Sequence, residues 1–137
     1  MNQCPYCLKN EKLDRFAITI CDLQVSTLYL FKEQSHPGRV TVAYREHIGD
    51  LNELDAEQLR LYFQDVQKAS RAVLKAFHPD KINYGAYADT MHHLHFHLVP
   101  KYRDAFEWGT SFEGNPERVY LTDEEYAKTI EAIKAAL

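Results

Sequence analysis

Residues 93–99 read His93-Leu94-His95-Phe96-His97-Leu98-Val99, with polar and apolar positions in strict alternation from His93 to Leu98. Successive side chains of a strand point to opposite faces, so the three imidazoles share one face while Leu94, Phe96 and Leu98 enter a core. Three groups that ordinarily titrate near neutrality then crowd together, each resisting protonation of the next. Three chemistries suit such a row. It is a polar sheet face that happens to use His, or a metal site built on His pairs at spacing two, or a nucleophile, because an unprotonated imidazole attacks phosphorus well. A second pair of reactive groups stands in Cys4-Pro5-Tyr6-Cys7. Two thiols at this spacing suit either redox exchange or one half of a tetrahedral zinc site. A redox motif follows a strand and opens a helix; here three residues precede it and Leu8 to Lys12 is mostly polar, which favours the metal reading.

These groups need a scaffold, and the chain spells out most of one. Ser26–Phe31 and Arg39–Tyr44 are strand-like and flank the turn signal Ser35-His36-Pro37-Gly38, which predicts a hairpin. Asp55 with Gln58 forms a capping box, after which apolar residues from Leu59 to Phe77 recur at helical spacing, predicting a helix of about 22 residues. Lys81–Tyr87 and His93–Val99 are further strands, the second ended by Pro100. Thr122 with Glu125 caps a short C-terminal helix whose stripe is Tyr126, Ile130, Ile133 and Leu137. The expected architecture is α+β: an antiparallel sheet with one long and one short helix packed on it, as a single domain over residues 1–137.

Composition excludes several classes. The 137 residues carry 16 Lys and Arg against 20 Asp and Glu, a formal charge of -4, and no basic face stands out, so a nucleic acid is not the expected partner. Apolar runs are a few residues long and the N-terminus lacks a leader pattern, so neither a membrane partner nor secretion is expected and the location expected is cytoplasmic. Three cysteines, an odd number, argue against a disulfide framework. His36 and His78, each beside a proline, are expected in solvent, and His92 away from the triad face.

His-φ-His-φ-His-φ-φ, with φ apolar, is the signature of the histidine triad (HIT) family of nucleotide hydrolases and transferases, and residues 93–99 resemble it at every position. Arg39-Val-Thr-Val-Ala-Tyr-Arg-Glu-His47-Ile48 resembles the family's Gly-His-x-Leu-Val-x-Pro-Lys-x-His-Ile stretch. Pro100-Lys101-Tyr102 resembles its Pro-Arg-Tyr, and Asn83 stands ten residues before His93, where the family places an Asn. The resemblance implies that His95 is the nucleophile forming a nucleotidyl-histidine intermediate, with His97 donating to phosphate oxygens. Asn83 and Thr90 are then polar groups around the nucleotide, which is expected to be a purine nucleotide. It also implies a homodimer to which the C-terminal part contributes.

Some relatives, galactose-1-phosphate uridylyltransferases among them, have an N-terminal Cys-x-x-Cys whose zinc is completed by the His after the second hairpin strand and the first triad His. Carried over, the structural zinc ligands are Cys4, Cys7, His47 and His93. Three positions depart from the common pattern. Arg39 stands where many members have His, to contact phosphate or cap the hairpin. Asp89 stands where many have Gln, a carboxylate that repels phosphate unless it points away. Glu33 is the best match to the acidic residue that binds ribose hydroxyls, one methylene longer than the usual Asp. The expected activity is that of a hydrolase or nucleotidyl transferase acting on a nucleoside phosphoramidate or dinucleoside polyphosphate. The alternatives are a zinc-stabilised nucleotide-binding protein with little turnover, and a metal centre formed by His93, His95 and His97 alone.

Overall fold

A computed structural model describes residues 3–137; Met1 and Asn2, part of the N-terminus read above for a leader, lie outside the described residues. The expected hairpin is β2 (Ser26–Phe31) and β3 (Val40–Tyr44). Its connection ends in the turn His36-Pro37-Gly38-Arg39, closed by the Arg39 N–H donating to the His36 carbonyl at 3.1 Å. Proline presets the first central position, and Gly38 takes φ 93°, a region that a side chain disfavours. A Cβ there would also meet Phe77 Cδ2 at 2.7 Å.

Two further strands follow, β4 (Lys81–Gly85) and β5 (His95–Lys101), and one precedes the hairpin, β1 (Ala17–Asp22). The five form an antiparallel sheet in the order β1-β2-β3-β5-β4. β1 was not legible in the sequence, and its register slips between Thr19 and Cys21, where a bulge breaks the alternation. β4 stops two residues short of the expected Tyr87. β5 starts at His95, not His93, because Leu94 is drawn to other partners: its N–H donates to Ile48 O at 2.6 Å and its carbonyl accepts from Tyr44 N at 2.9 Å. It also runs through Pro100. Pairing with β3 ends at Val40–Leu98, so beyond that point the ladder is one-sided and a residue without an N–H is tolerated.

The long helix, α3 (Ala56–Phe77), opens with the Asp55/Gln58 capping box and ends on His78 in a left-handed conformation (φ 53°). Tyr62, Val66, Ala69 and Val73 of α3 pack against Leu28, Leu30, Val42 and Leu98, which fill one face of the sheet. Burying each of the larger side chains stabilises the fold by about 1.5–3 kcal/mol. Buried Tyr62 Oη donates to Val42 O at 2.7 Å. Buried Asp65 accepts from Gln24 N, Val25 N and Ser26 Oγ, tying α3 to the β1–β2 turn. The C-terminal helix, α4 (Asp123–Ala136), opens with the Thr122/Glu125 box and lays Tyr126 and Ile133 on the same core.

The opposite sheet face is covered by two single-turn helices, α1 (Pro5–Leu8) and α2 (Glu11–Asp14), neither expected from the sequence. Pro5 at the first position of α1 and the Asn10 side chain accepting from Lys12 N start these turns. Tyr6 and Leu13 bury against Ala17, Tyr29 and Ala43. Among the described residues, no helix is long and apolar enough to cross a membrane.

Candidate active site and thiol-imidazole cluster

β5 occupies the position between β3 and β4, and small residues stand opposite its imidazoles. His95 lies opposite Ala43, and His97 lies opposite Thr41 on β3 and Gly85 on β4. Gly85 leaves room for an aromatic ring: a Cβ there would fall 2.6 Å from Phe112 Cζ. Tyr6 of α1 sits with its ring centroid 5.3 Å from His93 and 5.0 Å from His95.

The hydrogen bonds of each imidazole decide which nitrogen carries the proton, because a backbone carbonyl only accepts. His93 Nε2 donates to Tyr44 O at 2.6 Å, so Nδ1 keeps a lone pair. His95 Nδ1 donates to His93 O at 2.7 Å, so the lone pair of His95 lies on Nε2. His97 Nδ1 faces Arg39 Nη2 at 3.0 Å. Burial pushes all three imidazoles below the ordinary histidine range; for His97, burial and then the Arg39 charge bring the value to about 3. These imidazoles are therefore unprotonated at neutral pH.

Cys4, Cys7, His47 and His93 converge, with one ligand atom from each lying within 4.8 Å of the others. His47 Nδ1 and His93 Nδ1 are 3.3 Å apart, Cys4 Sγ and His93 Nδ1 3.3 Å, Cys7 Sγ and His47 Nδ1 3.2 Å, and Cys7 Sγ and His93 Nδ1 3.5 Å. A tetrahedral ion with bonds of about 2.3 Å to sulfur and about 2.05 Å to nitrogen separates two nitrogens by about 3.3 Å and sulfur from nitrogen by about 3.6 Å. The donor set and its spacings fit such an ion. The second imidazole nitrogen of His93 is already anchored on Tyr44 O, the outer-shell bond that metal-bearing histidines use. The Cys-x-x-Cys pair does open a short helix, with Cys4 at its N-cap, yet partial desolvation and the neighbouring Cys4 push the Cys7 thiol up rather than down. A redox thiol needs the reverse.

The remaining residues singled out in the sequence do not gather in one cavity. Glu33 lines a cavity of about 390 Å³ with Phe31, Arg39, Asn115 and Arg118. Its carboxylate already accepts from Ser35 Oγ at 2.6 Å, Val119 N at 2.7 Å and Ser35 N at 3.3 Å. Burial alone would raise its pKa, but these bonds and the Arg39 charge outweigh it and hold the group ionised. Asn83, beside Lys101, Trp108 and Thr110, lines a separate cavity; its pairing with Val99 puts it on the sheet face that carries His97. Thr90 is exposed and lines a third cavity with Cys4, His47 and His92; Asp89 is also exposed. His78 and His92 are exposed, whereas His36 is not. His36 is buried, and its Nε2 meets Glu107 at 2.7 Å, a partner 71 residues away that local sequence does not reveal. Tyr6 and Phe112 enclose the imidazoles without having announced it in the sequence.

A family model described as the HIT domain matches residues 18–104. The chain belongs to the HIT family. Among solved structures, a HIT protein from Sinorhizobium meliloti 1021 superposes with a TM-score of 0.85 at 21% identity, covering 93% of this chain and 95% of that one. A hypothetical histidine triad nucleotide-binding protein from Sulfolobus tokodaii gives 0.74 at 19% identity, covering 97% and 91%. A zinc-bound histidine triad family protein from Mycobacterium smegmatis gives 0.69 at 22% identity, covering 98% and 93%. A search of curated proteins finds no match. Membership of the HIT family supports a nucleotide-binding or nucleotide hydrolase or transferase function.

Proposed function

We propose that this HIT protein is a nucleotide hydrolase or nucleotidyl transferase that works through a covalent intermediate on His95. The observation that carries the reading is the 2.7 Å bond from His95 Nδ1–H to the His93 carbonyl, which leaves the Nε2 lone pair free as a nucleophile. His95 Nε2 attacks the α-phosphorus; the N–P bond forms as the bond to the leaving group breaks, and the leaving group takes that electron pair. Water then attacks phosphorus, the N–P bond breaks, and a nucleoside monophosphate leaves, with the proton from water passing to solvent. His97 donates to the phosphoryl oxygens as negative charge builds on them. Asn83, Thr90, Asp89 and Glu33 are the residues proposed to line the nucleotide, a purine nucleotide by family resemblance.

Cys4, Cys7, His47 and His93 would hold a zinc ion, and the zinc-bound Mycobacterium smegmatis relative supports that reading. When bound it would cross-link α1 to the segments that follow β3 and precede β5. Held in this way, His93 presents its carbonyl to His95 at a fixed angle. A homodimer completes the proposal. Phe63, Val66 and Leu74 of α3, with Tyr84 of the edge strand β4 and Phe96, line an open groove of about 760 Å³ that a second copy would cover. Three free cysteines, two of them among metal-type donors, suit a reducing cytoplasm.

The test is hydrolysis of adenosine phosphoramidate and diadenosine polyphosphates by wild type and His95→Ala, with products separated by chromatography. AMP release that drops about a thousandfold or more in the variant supports the enzyme. AMP binding without release from any substrate shows a binding protein instead.

A further inference from the structure

The family pattern has His where this chain has Arg39, and the side chain is neither a hairpin cap nor a surface cation. Its Nη2 meets His97 Nδ1 at 3.0 Å, its guanidinium lies 4.1 Å from the Phe31 ring centroid and 5.3 Å from that of Phe112, and its Nε is buried without a hydrogen-bond partner. Burial lowers its pKa, opposed by Glu33 and Glu107, to about 10, so it stays charged at neutral pH. Arginine has five donors and no acceptor. Whatever stands 3.0 Å in front of Nη2 must accept, which a histidine at position 39 would not enforce, since histidine donates or accepts according to its tautomer.

We infer that Arg39 is a positioning residue that holds His97 as a neutral imidazole with its proton on Nε2, and that this biases the site towards substrates whose leaving group departs without being protonated. The groups around His97 agree. Arg39 approaches from the start of β3 and His95 from its own strand, while the Phe31 and Phe112 rings lie beside it with centroids 5.4 and 6.4 Å away. Among the described residues, no carboxylate faces the ring closely enough to stabilise an imidazolium: Glu33 and Glu107 act on Arg39 instead. Held this way, His97 offers phosphoryl oxygens an N–H but offers a leaving group only the very weakly acidic proton of a neutral imidazole. A departing amine takes the P–N electron pair and needs a proton. A departing nucleotide takes the P–O pair and leaves as a stable phosphate anion. The substrate class is therefore a phosphoanhydride, such as a dinucleoside polyphosphate, ahead of a phosphoramidate.

The kinetic half of this inference rests on the nucleotidyl-transfer reading above; the tautomer half does not. Nitrogen-15 NMR at pH 6, with His97 assigned by its loss in His97→Asn, separates the three protonation forms of the ring. The expected result is a single Nε2–H form in wild type, retained in Arg39→Lys and mixed with the Nδ1–H form in Arg39→Met. An Nδ1–H or doubly protonated His97 in wild type overturns the inference even if Arg39→Met does not fold. In parallel, kcat/KM for diadenosine triphosphate should exceed that for adenosine phosphoramidate by about a hundredfold, the usual worth of a missing general acid. A faster phosphoramidate overturns the substrate class. Turnover of neither overturns the hydrolase reading and the leaving-group preference with it, while the NMR result still decides the role of Arg39.

Discussion

Replacing Cys7 by Ser isolates metal coordination from packing. Cys7 is exposed, and the bonds of its thiol to other elements are those to His47 and His93, at 3.2 and 3.5 Å. As an ordinary surface change the substitution costs within about 0.5 kcal/mol. As the loss of one of four ligands it removes most of the stabilisation that a bound ion supplies. An ion present at a thousand times its dissociation constant stabilises the folded chain by about 4.1 kcal/mol. Unfolding entropy of about 2.1 cal/mol/K per residue gives this 137-residue chain about 0.29 kcal/mol/K, so that stabilisation is worth about 14 °C in Tm. The assay is thermal unfolding of zinc-loaded wild type, chelated wild type and Cys7→Ser, with metal content measured by mass spectrometry. The expected pattern is one zinc per chain in wild type, and a fall in Tm of about 14 °C on chelation that Cys7→Ser reproduces. A variant that keeps its zinc points to an ion on His93, His95 and His97 instead. A wild type that binds none, with a Tm indifferent to added zinc, refutes the reasoning altogether.

The depressed His97 pKa makes stability pH-dependent. Its folded value, about 3, lies below the ordinary 6.5, so below pH 6.5 the unfolded chain binds a proton that the folded chain refuses. This contribution is fully present above pH 6.5 and is lost as the pH falls, at most about 2 kcal/mol by pH 5; urea unfolding of wild type against His97→Asn should show the variant's stability falling less over that range. Asp65→Ala strips the acceptor from Gln24 N, Val25 N and Ser26 Oγ and should cost about 2–4 kcal/mol, read from denaturant midpoints; a change below 1 kcal/mol would show that the turn finds other partners. Gly38→Ala forces a side chain into φ 93° and towards Phe77, costing about 1–3 kcal/mol by the same assay, and should also lower turnover because Arg39 follows directly; unchanged turnover would mean that the turn does not position Arg39.

What could be read along the chain was local. The capping boxes at Asp55/Gln58 and Thr122/Glu125 each close over three residues, and both helices start there. The alternation in His95-Phe96-His97-Leu98 depends only on the two-residue period of a strand, and the observed β5 keeps it. β1 escaped notice because its bulge interrupts that period, and α1 and α2 because one turn of helix is too short to show a 3.6-residue pattern. His36 escaped because the residues it packs against and bonds to, Phe106 and Glu107, lie far along the chain.

By itself the sequence determined which reactive groups exist, that the triad imidazoles alternate with apolar residues, and through its motif the family to compare. Tertiary structure decided what state those groups are in. Cys4 and His93 meet across 89 residues only because β3 and β5 pair in one register and α1 folds over their ends. Which nitrogen of each triad imidazole carries a proton depends on the carbonyls of Tyr44 and His93 and on the guanidinium of Arg39. Residue type supplies an imidazole; only its surroundings make it a ligand, a nucleophile or a donor, because a tautomer is chosen by the partner it faces.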